Sequence, residues 1–245
     1  MSNLEKVAIV TGASRGIGAA IAKRLGRDGF TVIVNYAGNS DAAAAVVHDI
    51  KVAGGKAVAI QADVSDPKQV ENLFDRSRTE FGGIDVLVNN AGVMLLSPLA
   101  SADEGAVGRQ IDINLKGTIN TLRQATVHLR DEGRIINLSS SVVGLKLESY
   151  GVYSATKAAV EALTGIMAKE MRGRSITVNA VAPGPTATDL FLNGKSEELI
   201  ARMAKMNPLE RLGSPEEIAA AVSFLAGPDG AWINGQVLRA NGGMV

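Results

Sequence analysis

The 245-residue chain predicts a doubly wound α/β fold, a seven-stranded parallel sheet with helices on both faces, from three features. Short apolar runs alternate with longer amphipathic or Ala-rich segments as far as about Val181. The runs are apolar nearly throughout, the pattern of strands buried on both faces of a parallel sheet. A glycine-rich turn separates the first run from the first helical segment. The length fits one domain, residues 1–245, without a separate substrate domain.

In chain order, Lys6–Val10 is the first strand and Gly16–Asp28 the first helix. Thr31–Asn35 and Asp41–Ala53, Ala57–Gln61 and Pro67–Phe81, then Ile84–Val88 and Ala102–Arg130 repeat the unit. Arg134–Leu138, Gly151–Arg172 and Ile176–Val181 follow. Strand and helix alternating in this way imply right-handed βαβ units. A last helix, Pro215–Ala226, has Ser214 as its N-cap and Pro215 at its first position, and Gln236–Arg239 closes the sheet. Only Pro183–Arg211 breaks the alternation, with Pro-Gly-Pro and a short polar helix at Ser196–Lys205. Ligands of open α/β sheets bind beyond the strand C-termini, so residues 184–211 are expected to form a substrate lid.

The 25 basic and 25 acidic residues cancel, which gives no reason to expect nucleic acid or an anionic membrane as partner. The chain has no cysteine, removing disulfides, thiol catalysis and cysteine metal sites. Met1–Lys6 leads into the first strand without a signal-like apolar region, and no stretch is long enough to span a bilayer. A cytoplasmic protein is expected. His48 and His128 lack metal-ligand companions and read as surface residues, so no metal site is expected. Trp232 reads as packing or a subunit contact, and Glu216-Glu217 as acidic residues favoured in a first helical turn.

Thr11-Gly12-Ala13-Ser14-Arg15-Gly16-Ile17-Gly18 joins the first strand to the first helix. Gly12 permits a tight turn, Gly16 lets backbone approach a pyrophosphate, and Gly18 allows close packing of helix on strand. The helix N-terminus offers free N–H groups to phosphate. The second strand ends Asn35-Tyr36-Ala37-Gly38-Asn39, with no carboxylate before Asp41 to select NAD through the ribose hydroxyls. Arg15 stands ready for a 2′-phosphate, so NADP(H) is the expected cofactor, with Asn35, Tyr36 and Asn39 at its adenosine end. Asp63-Val64 ends the third strand, where Asp63 could accept from an adenine amino group or cap the next helix, a task better suited to Ser65 or Asp66. Asn89-Asn90-Ala91-Gly92 ends the fourth strand; its amides can tie strands together while Ala91 and Gly92 leave room for a ribose.

Tyr153 and Lys157 share a helix face one turn apart, and Ser140 lies thirteen residues upstream of the phenol. A neighbouring positive charge favours phenolate, which makes the pair a proton donor for neutral pH. A unit charge ~5 Å away at an effective dielectric of ~20 contributes roughly 3 kcal/mol, or about two pKa units, before burial opposes it.

Together, Thr11–Gly18, Asp63-Val64, Asn89–Gly92, Asn114, Ser140, Tyr153-x-x-x-Lys157, Pro183-Gly184 and Asn241-Gly242-Gly243 resemble the short-chain dehydrogenase/reductase family over nearly the whole chain. Its single-domain Rossmann form, in the 3-oxoacyl-(acyl-carrier-protein) reductase and carbonyl reductase branch, is the nearest likeness. The resemblance implies Tyr153 as general acid/base, Lys157 holding the nicotinamide ribose and Ser140 binding the substrate oxygen, with Ser141 as the fallback. It implies that Asn114 kinks its helix and holds a water next to Lys157. Pro183, Gly184, Thr186 and Thr188 would anchor the nicotinamide end. Met94, Leu95, Leu96, Val142, Leu145 and Leu147 should line the substrate pocket with Tyr150, Pro185, Leu190 and Phe191, suiting an apolar ketone or its alcohol. The alternatives are a 3-oxoacyl reductase of fatty acid synthesis, served by a basic face to which Arg172 and Arg174 could contribute, and a non-catalytic dinucleotide sensor. Asp131-Glu132 and the absence of an acidic residue before the final glycines depart from the carrier-protein pattern. A homotetramer is implied, built on Ala102–Arg130 with Gly151–Arg172 and on the last helix with the last strand.

Overall fold

The computed structural model describes residues 6–245, so the expectation for Met1–Lys6 falls outside the described residues save for Lys6. Strands β1 (Val7–Val10), β2 (Thr31–Tyr36), β3 (Lys56–Gln61), β4 (Ile84–Asn89), β5 (Leu129–Leu138), β6 (Thr177–Pro183) and β7 (Val237–Ala240) form one parallel sheet. Their order is β3-β2-β1-β4-β5-β6-β7. The winding reverses between β1 and β4, which opens a crevice at their C-terminal ends.

Alternate residues of each strand feed two cores. Ala8, Val10, Val32 and Val34 pack on α1 (Gly16–Arg27), α2 (Ser40–Val52) and α10 (Pro215–Ala226). Val7, Ile9 and Ile33 face Phe74, Leu122 and Met167 of α3 (Pro67–Phe81), α5 (Gly117–His128) and α7 (Gly151–Glu170). The apolar runs therefore reflect sandwiching between helical layers.

Three expectations need correction. The outer strands are not buried on both faces: β3 alternates buried Ala57 and Ile60 with exposed Lys56, Ala59 and Gln61, and no residue of β7 is buried. Each is an edge with only one strand neighbour. The helix expected over Ala102–Arg130 is three pieces, α4 (Glu104–Gln110), a π-helical turn at Ile111–Lys116, and α5. It stops at His128 because Leu129 already pairs with Ile84 at the start of β5. Two short helices, α6 (Val142–Leu145) and α8 (Asp189–Leu192), carry too few residues to show a period in sequence.

Ser214 caps α10 in a full capping box with Glu217, and Pro215 takes the first turn, as read from sequence. The excursion after β6 contains α8 and α9 (Glu197–Ala204). Its two roots are stitched together: Gly213 donates to the Pro185 carbonyl and Ala187 to the Gly213 carbonyl, both at 2.9 Å. Arg211 grips Glu217 of α10 with two bonds of 2.8 and 2.6 Å.

Candidate active site

The glycine loop sits over the crevice. Gly12 (φ +60°) and Gly16 (φ +54°) hold left-handed backbone, and a Cβ on Gly12 would meet the Ala91 Cα at 2.8 Å. The role expected for Gly18 is refined. A Cβ there would lie 2.4 Å from Asn90 Nδ2 and 2.5 Å from the Gly12 carbonyl oxygen, so the residue keeps the loop closed on itself and on β4. Arg15 occupies the N-cap of α1 with no side chain capping the first turn, so the helix presents uncapped N–H groups to the crevice. Bare backbone donors beside the close approach that Gly12 and Gly16 permit fit a pyrophosphate.

The groove is lined by Ser14, Arg15, Ile17, Tyr36, Asp63 and Val64 toward β2 and β3 and by Asn90, Ala91, Gly92 and Thr188 toward β4. Asp63 turns inward on Ser65, accepting from its amide and hydroxyl at 2.9 and 2.7 Å, while Asp66 caps α3. The side chain of Asn35 is already committed. Its amide donates to the Ile60 and Ala62 carbonyls and its oxygen accepts from Gly12, so it braces the loop at the groove it lines. Asn39 likewise spends its oxygen capping α2. Two residues went unremarked in sequence. Thr11 Oγ1 accepts from the amides of Asn90 and Ala91 at 3.0 and 3.1 Å, pinning the β1 and β4 ends together. Arg109 of α4 lines the groove, and nothing local in its sequence marks it.

At the C-terminal end of β5, the three consecutive serines differ in their hydrogen bonding. Ser139 donates to Glu161 at 2.7 Å, and Ser141 donates to the Ala182 carbonyl and accepts from Asn241. Ser140 alone turns its hydroxyl to Tyr153. Lys157 is buried, donates to the Leu138 carbonyl at 2.7 Å, and lies 5.8 Å from the centre of the Tyr153 ring. Asn114, inside the π turn, donates to the Val93 carbonyl and accepts from the Val93 amide, both at 2.8 Å. The expected kink is therefore a π turn. Its visible partners are the backbone after β4 and Thr156, one residue before Lys157. A Cβ at Gly92 would fall 3.2 Å from Asn114 Oδ1 and 3.6 Å from Lys157 Nζ, so these groups border one space.

The electrostatic expectation for Tyr153 is overturned for the protein by itself. Burial pushes the phenol up to about 12, opposed by the Ser140 hydrogen bond. The same burial brings Lys157 down to about 8. Desolvation outweighs the ammonium, which bonds to a carbonyl instead of the phenol. Tyr153 thus holds its proton at neutral pH, in a half-buried position open to the pocket.

The pocket above Tyr153 is walled by Met94, Val142, Leu145, Leu147, Tyr150, Pro185, Leu190 and Phe191, as expected, and by Met203 of α9, which sequence distance concealed. Leu95 does not line it, and Leu96 lies further out. Pro183, Gly184, Thr186 and Thr188 border its floor; Thr186 donates to Gly184 and Thr188 caps α8. Arg174 is not free for docking, because it pairs with Asp131 at 2.8 Å and donates to the Thr126 and Leu129 carbonyls. His48 is exposed, but His128 is half-buried with its ring 6.3 Å from Phe74. Trp232 is 98% exposed and so does no packing within the subunit. No described helix is long and apolar enough to cross a membrane.

A family model described as enoyl-(acyl carrier protein) reductase matches residues 12–245. A short-chain type dehydrogenase/reductase of Picea abies is 44% identical over 250 residues, 98% of this chain and 92% of the relative. A solved short chain dehydrogenase from Burkholderia cenocepacia J2315, in complex with NADP, superposes with a TM-score of 0.93 at 38% identity over 99% of each chain. The angucycline C-6 ketoreductase LanV, with bound NADP, superposes at 0.92 with 36% identity, covering 99% of this chain and 96% of its own.

Proposed function

We propose that this chain, which belongs to the short-chain dehydrogenase/reductase family, is an NADPH-dependent oxidoreductase that reduces an apolar ketone to a secondary alcohol, reversibly. The observation that carries the reading is the pairing of Ser140 and Tyr153 hydroxyls on the floor of an apolar pocket, with the phenol protonated. NADP in the two solved relatives, the bare N–H groups of α1 and the exposed Arg15 support the cofactor. When bound, NADPH supplies the hydride.

The residues of the chain supply the remainder. Ser140 and Tyr153 hold the carbonyl oxygen between two donors, and Tyr153 gives it a proton as negative charge develops. Lys157 is placed to bind ribose hydroxyls in the space bordered by Gly92 and Asn114. Val142, Leu145 and Phe191 exclude water and leave the ketone little else to bond. The 184–211 segment acts as the lid, since Leu190, Phe191 and Met203 all come from it. We further infer a homotetramer, with exposed Val127 and Ile166 on one face and Phe224, Trp232 and Leu238 on the other available for subunit contact.

NADPH oxidation against aryl and aliphatic ketones, a 3-oxoester, a sugar and a 3-oxoacyl thioester tests the reading. Turnover on apolar ketones that is lost in Tyr153→Phe supports it. A marked thioester preference would move the protein into lipid synthesis, and cofactor binding without any turnover would favour a sensor.

A further inference from the structure

The pocket over Tyr153 opens outward into a second chamber of a different character. The inner space is about 120 Å³ and the outer about 600 Å³, and they share Met94, Leu147, Tyr150, Leu190 and Met203. A ligand whose carbonyl reaches Ser140 and Tyr153 must therefore leave most of any larger body in the outer chamber. The inner lining offers hydroxyls and apolar surface around Tyr153 and Lys157. The outer lining adds two further cations, Lys195 and Arg202, both from the excursion, against one carboxylate, Glu148, on the α6–α7 connection.

The two cations differ in setting. Lys195 Nζ donates to the Phe191 carbonyl at 2.5 Å and stands 4.7 Å from the centre of the Phe191 ring. That contact fixes the ammonium beside a residue of the inner wall, and partial burial disfavours its charge, so an anion would relieve it. Arg202 lies one turn before Met206 on the same wall and is exposed, with no ion pair recorded among the described residues. Glu198, one turn earlier on α9, bonds locally with Ser196 and does not line the chamber. A guanidinium free to fork and an ammonium already anchored form a receptor for a carboxylate at the end of an apolar body.

We propose that the preferred substrates are ketones carrying a carboxylate remote from the carbonyl, received by Lys195 and Arg202 in the outer chamber. This rests on the ketone reading and names the substrate class within it. An apolar segment spans the methionine and leucine neck, which keeps the neutral carbonyl at Ser140 and Tyr153 apart from the carboxylate.

The test compares benzoylpropionate with its methyl ester, by kcat/KM with NADPH and by calorimetric binding to the NADP-loaded protein. The acid should be favoured about tenfold, mainly through KM, and the ratio should fall toward one in 0.5 M salt. Lys195→Gln with Arg202→Gln should collapse the ratio, and Arg202→Glu should favour the ester. A ratio near one for the unaltered protein, or one unmoved by salt and by these substitutions, overturns the proposal. If neither compound turns over yet the acid still binds about tenfold tighter, the carboxylate site stands and the ketone reading falls.

Discussion

Replacing Lys157 by Met should make the protein more stable while removing its activity. Burial brings this lysine from its ordinary 10.5 to about 8. At roughly 1.36 kcal/mol per unit, keeping the charge inside costs on the order of 3–4 kcal/mol at neutral pH. Methionine removes that cost but leaves the Leu138 carbonyl without its 2.7 Å donor, a loss of about 1–3 kcal/mol. The net is a gain of roughly 0.5–2 kcal/mol. The sign with pH follows from linkage. Between pH 8 and 10.5 the native lysine has released a proton that the unfolded chain still holds, so stability from this group rises with pH through that window. Urea unfolding at several pH values from about 7 to 9.5 measures it, below the range in which the raised Tyr153 titrates. The slope of the unaltered protein should exceed that of Lys157→Met by up to about 1.4 kcal/mol per pH unit above pH 8. Equal slopes, or a variant weaker by more than about 3 kcal/mol, would show that Lys157 is not held as an uncompensated buried charge.

Ser140→Ala should reduce turnover by about 10²-fold or more with little change in NADPH affinity, measured by fluorescence titration. Ser139→Ala, which loses a 2.7 Å bond to Glu161 and a long one to the Lys157 carbonyl, should retain most activity but melt lower. Arg15→Ala should weaken NADPH binding about tenfold and NADH binding far less, because only the former carries the 2′-phosphate; equal losses would place the phosphate elsewhere, with Arg109 the next candidate. Gly18→Ala should cost about 1–3 kcal/mol in urea and weaken both dinucleotides together, since the added methyl meets Asn90 and the Gly12 carbonyl below 3 Å.

The layered fold was legible because short apolar runs alternate with longer amphipathic or Ala-rich segments, and β-strands pinned between two helical layers have few sequence alternatives. The edges misled for a related reason. β7 borrows apolar residues such as Leu238 yet leaves them exposed, and composition alone does not reveal which strand has only one neighbour. Spacing favours Ser140 among the three serines, and the hydroxyls of Ser139 and Ser141 are spent on bonds within the protein. What spacing could not convey was the balance of charge and burial at Tyr153. Lys157 is one turn away in sequence, but its ammonium bonds to β5, and desolvation opposes the charged form of both groups. Asn35 illustrates the same limit: it lines the groove, but its position at a strand end does not announce the three hydrogen bonds by which it braces the glycine loop and β3.

The stitched roots of the excursion after β6 also bear on how such a protein can change. The bonds among Pro185, Ala187 and Gly213 close the loop before its interior has any say, and Arg211 secures the far root to α10. Closure entropy grows only by about 0.6 kcal/mol for each doubling of loop length once the ends are fixed. Insertions, deletions or wholesale replacement between Thr188 and Glu210 therefore leave the sheet, the glycine loop and the Ser140–Tyr153 pair nearly undisturbed. New chemistry at the mouth can be tried one cassette at a time, while the pocket floor on β5 and α7 stays in place.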